Sequence, residues 1–346
     1  MSDPTTIRVA VIGVGSFGRN HARVYADLQK NPVPGLNVEL AAIVDADKSR
    51  AGEIAKEFGA TVYSSIEEML QWGKIQAASI AVPTVAHLKA AQPLLEGGVD
   101  VLIEKPLAAN LFEADDLLRI AGRTHRIVQV GHLERFNPAV RAVLPLITKP
   151  MFFEVHRLSI FTPRSLDVDV ILDLMIHDID VVLSLVNSPV KEIRAVGLPV
   201  LTNKVDIANV RLEFHSGAIA NFTASRVSTE RVRKLRFFQP HEYVSVDYSR
   251  RDVFKLSVQP AANPVVDSET GFAMPDIVPS KPEVVDEEPL RAELRSFLES
   301  VRDRSKPVVT LEDGRRALSA ALDILKAIQE HSRRTGLDAL TNQTHS

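Results

Sequence analysis

Five short β-branched runs, each apolar on both faces, punctuate the first 131 residues: Ile7 to Gly13, Val38 to Asp45, Ala77 to Pro83, Asp100 to Pro106 and Ile127 to His132. Strands of that kind have no face to turn to water, so they belong in a parallel sheet covered on both sides by helices. Amphipathic stretches lie between them, at Lys48 to Phe58, Ser65 to Trp72, Val85 to Glu96 and Leu111 to Arg123. They supply the crossovers that parallel neighbours need, and the βαβα order predicts a doubly wound α/β sheet.

The rhythm changes after residue 132. A helix-like stretch, Asn137 to Ile147, leads into a strand-like run from Met151 to Ile160 and an apolar helix from about Val168 to Val186. Consecutive strand candidates follow at Glu192 to Leu198, Ala208 to Phe214, Ala218 to Ser225, Val232 to Gln239, Tyr243 to Asp247 and Val253 to Val258. Such a meander predicts a mostly antiparallel open sheet in an α+β domain, so the expected division is 1–131 and 132–346. Residues 260–289, rich in proline and acids, read as a long loop, and Leu290 to Val301 and Leu311 to Glu330 read as closing helices.

Gly13-Val14-Gly15-Ser16-Phe17-Gly18 directly follows the first strand and opens a helix. The first glycine makes the tight turn, the second lets backbone approach a pyrophosphate, and the third permits close helix–strand packing, as in Rossmann dinucleotide sites. The helix N-terminus adds free N–H groups and partial positive charge. Asp45 ends the second strand, where a carboxylate can bond the ribose hydroxyls and repel a 2′-phosphate, so the expected cofactor is NAD. Lys48 and Arg50 lie close enough in sequence to offer a counter-charge, and a helix-capping role for Asp45 is compatible with the cofactor role. Pro83, Thr84 and His87, with Glu104 and Lys105 of the Glu-Lys-Pro tripeptide, fall at the carboxyl edge where ligands of open α/β sheets bind. A charged pair there also fits simple solvation of a strand end.

In Asp173-Leu174-Met175-Ile176-His177-Asp178-Ile179-Asp180, a helix puts Asp173 and His177 on one face and Asp180 one turn on. A carboxylate orients an imidazole and raises its basicity, which suits a general base; a hydrogen-bonded core histidine is the plainer alternative. No further His or Cys motif accompanies the cluster, so no metal is expected.

The balance of 41 Lys and Arg against 44 Asp and Glu, net −3, leaves no cationic excess for coating nucleic acid. The absence of Cys excludes disulfides and thiolate catalysis and fits a reducing compartment. No apolar run reaches the roughly 18–20 residues of a membrane span, and the start carries no secretory pattern, so a cytoplasmic protein is expected.

Gly13-x-Gly15-x-x-Gly18, Glu104-Lys105-Pro106 and Asp173-x-x-x-His177-x-x-Asp180 together resemble the glucose–fructose oxidoreductase, inositol dehydrogenase and rhizopine catabolism (Gfo/Idh/MocA) family of NAD(P)-dependent sugar and cyclitol dehydrogenases. The resemblance implies Lys105 beside nicotinamide and the reacting hydroxyl, His177 as general acid/base and Asp173 on a substrate hydroxyl. Gly131-His132-Leu133-Glu134-Arg135-Phe136-Asn137-Pro138 resembles the branch that oxidises C3 of UDP-linked amino sugars. That implies UDP-N-acetylglucosamine or a relative as substrate; the open sheet face of the second domain offers a place for a homo-oligomer interface, so a dimer or tetramer is expected. Arg135, Arg157, Arg164 and Arg226 are candidates for its diphosphate, with Asn137 in the same stretch, because guanidinium matches phosphate bidentately. Asp167-Val168-Asp169 and Met175 stand where many members carry glycines, which argues against transferring a free-sugar or inositol specificity. The other readings are a free-sugar or inositol-like dehydrogenase, a non-catalytic NAD-sensing protein, and an assembly protein built on its open sheet.

Overall fold

The computed structural model describes residues 6–162, 168–261 and 274–337. Six parallel strands form the first sheet: β1 (Ile7–Ile12), β2 (Val38–Val44), β3 (Thr61–Tyr63), β4 (Ala77–Ile80), β5 (Asp100–Glu104) and β6 (Val128–Gly131). Their order is β3-β2-β1-β4-β5-β6, and every pair is parallel. β4, β5 and β6 are buried throughout, and β1 and β2 at all but one residue, as the doubly apolar runs require. The crossovers are α1 (Ser16–Lys30), α2 (Lys48–Phe58), α3 (Ile66–Trp72), α4 (His87–Glu96) and α5 (Leu111–Thr124). Side chains set where three of them begin: Asp47, Ser65 and Asn110 each accept a backbone N–H of the following first turn. β3 has no counterpart among the expected strands, because Thr61 and Val62 are exposed on a three-residue edge and leave no apolar run.

The second sheet has eight strands in the order β14-β13-β12-β11-β7-β10-β9-β8. They are β7 (Phe152–Ile160), β8 (Val190–Leu198), β9 (Ile207–Phe214), β10 (Ile219–Ser228), β11 (Val232–Gln239), β12 (Glu242–Asp247), β13 (Asp252–Gln259) and β14 (Asp276–Ser280). All neighbours are antiparallel except β7 and β10. Burial alternates along β9, β10 and β11, the pattern of a sheet with one covered face. α6 (Pro138–Val143) precedes this sheet, and α7 (Ile176–Val186) follows β7. β14 corrects the reading of 260–289 as loop: it is an exposed edge strand with Pro279 in it, so it carries neither alternation nor apolarity to mark it. Residues 262–273 of that segment lie outside the described residues.

α8 (Pro289–Asp303) and α9 (Leu311–Thr335) close the described chain. The chain forms two compact units, 1–136 with 287–319, and 137–286 with 320–346. This differs from a single division at residue 131, and α8 is the reason. Its Leu290, Leu294, Phe297, Leu298 and Val301 share one core with β1, β2 and α1. Phe297, Leu294 and Leu298 are fully buried, each worth about 1.5–3 kcal/mol. The following segment ties to the sheet where the Val130 N–H donates to the Val309 carbonyl, 3.1 Å. Strand alternation records where a sheet ends; it says nothing of a helix that returns to cover it. Among the described residues, no helix is long and apolar enough to cross a membrane.

Candidate active site

In the first unit the strand order switches direction between the parallel neighbours β1 and β4, the place where ligands of doubly wound sheets bind. A cavity of about 630 Å³ lies there, lined among others by Gly13, Gly15, Asp45, Arg50, Pro83 and Lys89. Gly13 has φ +83°, and a Cβ on it would stand 2.8 Å from Val82 and 2.9 Å from the Ala81 carbonyl. A Cβ on Gly18 would collide with the Gly13 carbonyl oxygen at 1.8 Å, while one on Gly15 would meet nothing within 4 Å. Two glycines are therefore needed by the fold, and the middle one leaves backbone bare toward open space. The N-terminus of α1, at Gly15, has no side-chain cap hydrogen bond. Bare backbone, uncapped helix start and adjoining cavity fit a dinucleotide pyrophosphate. Phe17 is partly exposed and sets its ring edge-on to His21, centroids 5.3 Å apart.

Asp45 is bound on both oxygens. Oδ2 accepts the Val14 N–H at 2.6 Å, and Oδ1 accepts the Asp47 N–H at 2.8 Å and Arg50 Nη2 at 2.9 Å. Burial opposes its charge, yet the Arg50 guanidinium and the two amides hold the carboxyl below its ordinary range. A carboxylate has about four acceptor positions, so three bonds leave one for a ribose hydroxyl. The helix cap is Asp47, whose side chain accepts the Arg50 N–H.

Of the residues expected at the nicotinamide end, Pro83 lines this cavity, while Thr84, His87, Glu104 and Lys105 are not among its lining residues. His87 is buried, with Nδ1 3.2 Å from the Leu107 carbonyl and Nε2 3.1 Å from the Val82 carbonyl. Burial lowers its pKa despite those carbonyls. Each ring nitrogen faces a main-chain carbonyl and the neutral ring donates to one of them at a time, so His87 sits as a buried clamp between the loops after β4 and β5. Pro83 is exposed and Thr84 half-buried at the start of a 3-10 turn. Lys105 is half-buried, and its bond to Pro106 is cis. Glu104 is buried; Oε1 lies 3.0 Å from His21 Nε2 and Oε2 accepts the Lys105 N–H at 3.3 Å. His21 was not among the expected site residues; its one signal is a polar residue on the otherwise buried face of α1.

Asp173 and His177, both half-buried, sit in the second unit at a junction. Residues Ile171–Met175 form a π turn, and α7 begins at Ile176, so the expected regular helix is interrupted between them. Such turns widen the helix by one residue and recur at functional sites. Asp178 and Asp180 are buried. Asp178 takes both prongs of Arg157, Nε to Oδ2 at 2.5 Å and Nη2 to Oδ1 at 2.9 Å, and Arg157 also stacks over Tyr248.

That ion pair redirects the arginine expectations. Arg157 is 3% exposed and ties β7 to α7. Arg226, also buried, donates to the Val168 carbonyl and stands 3.7 Å from Asp206. Arg135 reaches the Val308 carbonyl and Asp313 within the first unit. Asn137 caps α6 through the Ala139 N–H and donates to the Tyr248 carbonyl. These side chains are spent on the protein because a guanidinium that suits a diphosphate suits a buried carboxylate or carbonyl equally well. Arg164 and Asp167 lie outside the described residues. Among the described residues, no group of three or more His, Cys, Asp or Glu side chains is placed to hold a metal.

Residues 7–132 match the model of an oxidoreductase family with an NAD-binding Rossmann fold, and residues 151–239 match that of the GFO/IDH/MocA C-terminal domain. The chain is 34% identical over 327 residues to UDP-N-acetylglucosamine 3-dehydrogenase of Acidithiobacillus ferrooxidans, covering 93% of this chain and 97% of that one. The solved structure of the enzyme of that name from the same organism superposes with a TM-score of 0.84 at 32% identity, over 94% of this chain and 99% of the other. The scyllo-inositol 2-dehydrogenase (NAD+) of Bacillus subtilis is 30% identical over 64% of this chain and 68% of its own length.

Proposed function

The chain belongs to the GFO/IDH/MocA family of oxidoreductases with an NAD-binding Rossmann fold, and from that membership we propose that it oxidises C3 of UDP-N-acetylglucosamine, or of a closely related UDP-hexosamine. The observation that carries the substrate is the extent of the match: it runs nearly end to end with a UDP-N-acetylglucosamine 3-dehydrogenase and over only part of an inositol dehydrogenase.

The glycine loop of Gly13, Gly15, Ser16, Phe17 and Gly18 receives the pyrophosphate, Asp45 the ribose, and Pro83, Thr84, Glu104 and Lys105 the nicotinamide end. Bound NAD supplies the acceptor for a hydride from the alcohol carbon. His177 takes the hydroxyl proton as that carbon becomes a carbonyl, a step in which a positioned base contributes about 10²–10⁴ in rate. Lys105 holds the same oxygen and offsets the charge that gathers on it, and Asp173 accepts a bond from a substrate hydroxyl. Arg164 is the candidate for the diphosphate. The enzyme acts in the cytoplasm, where NAD and nucleotide sugars meet, as a homo-oligomer through the open face of its second sheet.

A 3-keto sugar nucleotide is unfavourable at equilibrium with NADH, so the test couples its removal. Protein, NAD, UDP-N-acetylglucosamine, a 3-aminotransferase and glutamate should yield the 3-amino sugar, seen by mass. No product there, with turnover of inositol or a free hexose under the same conditions, overturns the substrate.

A further inference from the structure

Behind Lys105, the sheet face covered by α1 and α8 carries a buried polar cluster within an otherwise apolar core. Glu104 occupies it so tightly that a Cβ on Gly131 of neighbouring β6 would stand 2.8 Å from Oε1 and 3.0 Å from Oε2. His21 binds Glu104 from α1, and Tyr25, one turn on, bonds Ser79 at 2.7 Å. From α8 comes Glu293. It is completely buried, and neither carboxyl oxygen meets a hydrogen-bond partner, although its main-chain carbonyl accepts Gln129 Nε2 at 3.2 Å. His21 Nδ1 and Gln129 Oε1 are also unpartnered. The 3-10 turn Leu133–Phe136, which packs on α8 as well, carries Glu134 and Arg135, the latter turned to Val308 and Asp313.

A carboxylate buried without a donor is costly, and a second beside Glu104 more so. We infer that Glu293 is a positioning residue that keeps its proton, leaving Glu104 as the cluster's single anion to grip His21 and the Lys105 main chain. This rests on reading Lys105 as the group beside the reacting oxygen. Burial, and then the charge of Glu104, push the Glu293 carboxyl well above its ordinary 4.5. If Glu293 lost its proton, two carboxylates would repel each other on one dry face and draw Glu104 away from the Lys105 amide. That loosens the residue that faces the substrate.

The test compares wild type with Glu293→Gln, an uncharged near-isostere, and with Glu293→Ala. In the ligand-free protein at neutral pH, the infrared stretch of a protonated carboxylic acid should be present in wild type and absent from Glu293→Gln. The folded chain keeps a proton that the unfolded chain gives up near 4.5, so this contribution to stability is whole below that pH and fades as pH climbs to the raised value. Wild-type Tm should therefore fall with rising pH more steeply than that of Glu293→Gln. Turnover should drop about tenfold in Glu293→Ala, in kcat rather than KM, and return in Glu293→Gln. An infrared band that persists in Glu293→Gln, parallel Tm curves, or a failed rescue by Gln each overturns the inference. A wild type inactive on UDP-N-acetylglucosamine sinks the functional proposal instead, and the infrared and Tm results still decide the state of Glu293.

Discussion

The two units handle polar groups in opposite ways. In the first, the cavity at the strand-order switch is bordered by main chain, an uncapped helix start and a glycine open to space, with the Asp45 side chain holding the loop beside them. In the second, polar side chains with the chemistry to bind an anion are turned inward, Arg157 onto Asp178 and Arg226 toward Val168 and Asp206. Backbone recognition depends on where glycines fall in the chain; side-chain recognition depends on which partner the fold delivers. An arginine beside a buried aspartate is a strut before it is a ligand.

Breaking the strut is the strongest challenge to that contrast. Arg157→Ala leaves Asp178 as an uncompensated buried charge and should cost about 3–5 kcal/mol of folding stability, measured by denaturant unfolding. NAD affinity should change little wherever the variant stays folded. A loss of substrate affinity with unchanged stability would make Arg157 a ligand after all.

The next effect is chemical and falls on both units. Lys105→Met and His177→Ala should each lower kcat at least about a hundredfold, because in the proposed mechanism each removes a group acting on the transition state. Near-wild-type turnover of the histidine variant across pH would leave His177 a core histidine and reduce the second unit to scaffold.

Asp45 gives the smallest shift and the finest distinction. Asp45→Ala should narrow the preference for NAD over NADP by about tenfold, near 1.4 kcal/mol, in titrations with both dinucleotides. It removes the repulsion and sets free Arg50, which Asp45 now holds. A wild-type preference for NADP would mean that Arg50 governs the ribose subsite.

Legibility in the sequence follows the same line. The parallel sheet and the glycine loop were readable because doubly apolar strands and a Gly-x-Gly-x-x-Gly turn admit few other structures, and the collision a Cβ on Gly18 would have with Gly13 fits that turn; the edge strand β3 was not readable. Asp173 and His177 were visible as a pair, but the π turn between them was not, since nothing in Ile171–Met175 departs from helical patterning. His87 stood at the right edge for a ligand and is instead clasped by two carbonyls, a partnership set by loops far apart in sequence. Glu293 was the least visible. On a closing helix, a glutamate passes for a solvated residue until the sheet beneath it is known.

The return of α8 to the first core has a consequence on the ribosome. The apolar surface of β1, α1 and β2 is complete at Val44, and residues 45–288 are made before α8 exists to cover it. At about 5–20 residues per second the glycine loop waits roughly 12–50 s with one side of its sheet unroofed. A chain released before residue 287 carries every element of the nucleotide loop and lacks Leu294, Phe297 and Leu298 to close the core beneath it, which makes it an aggregation-prone fragment rather than a free-standing dinucleotide binder.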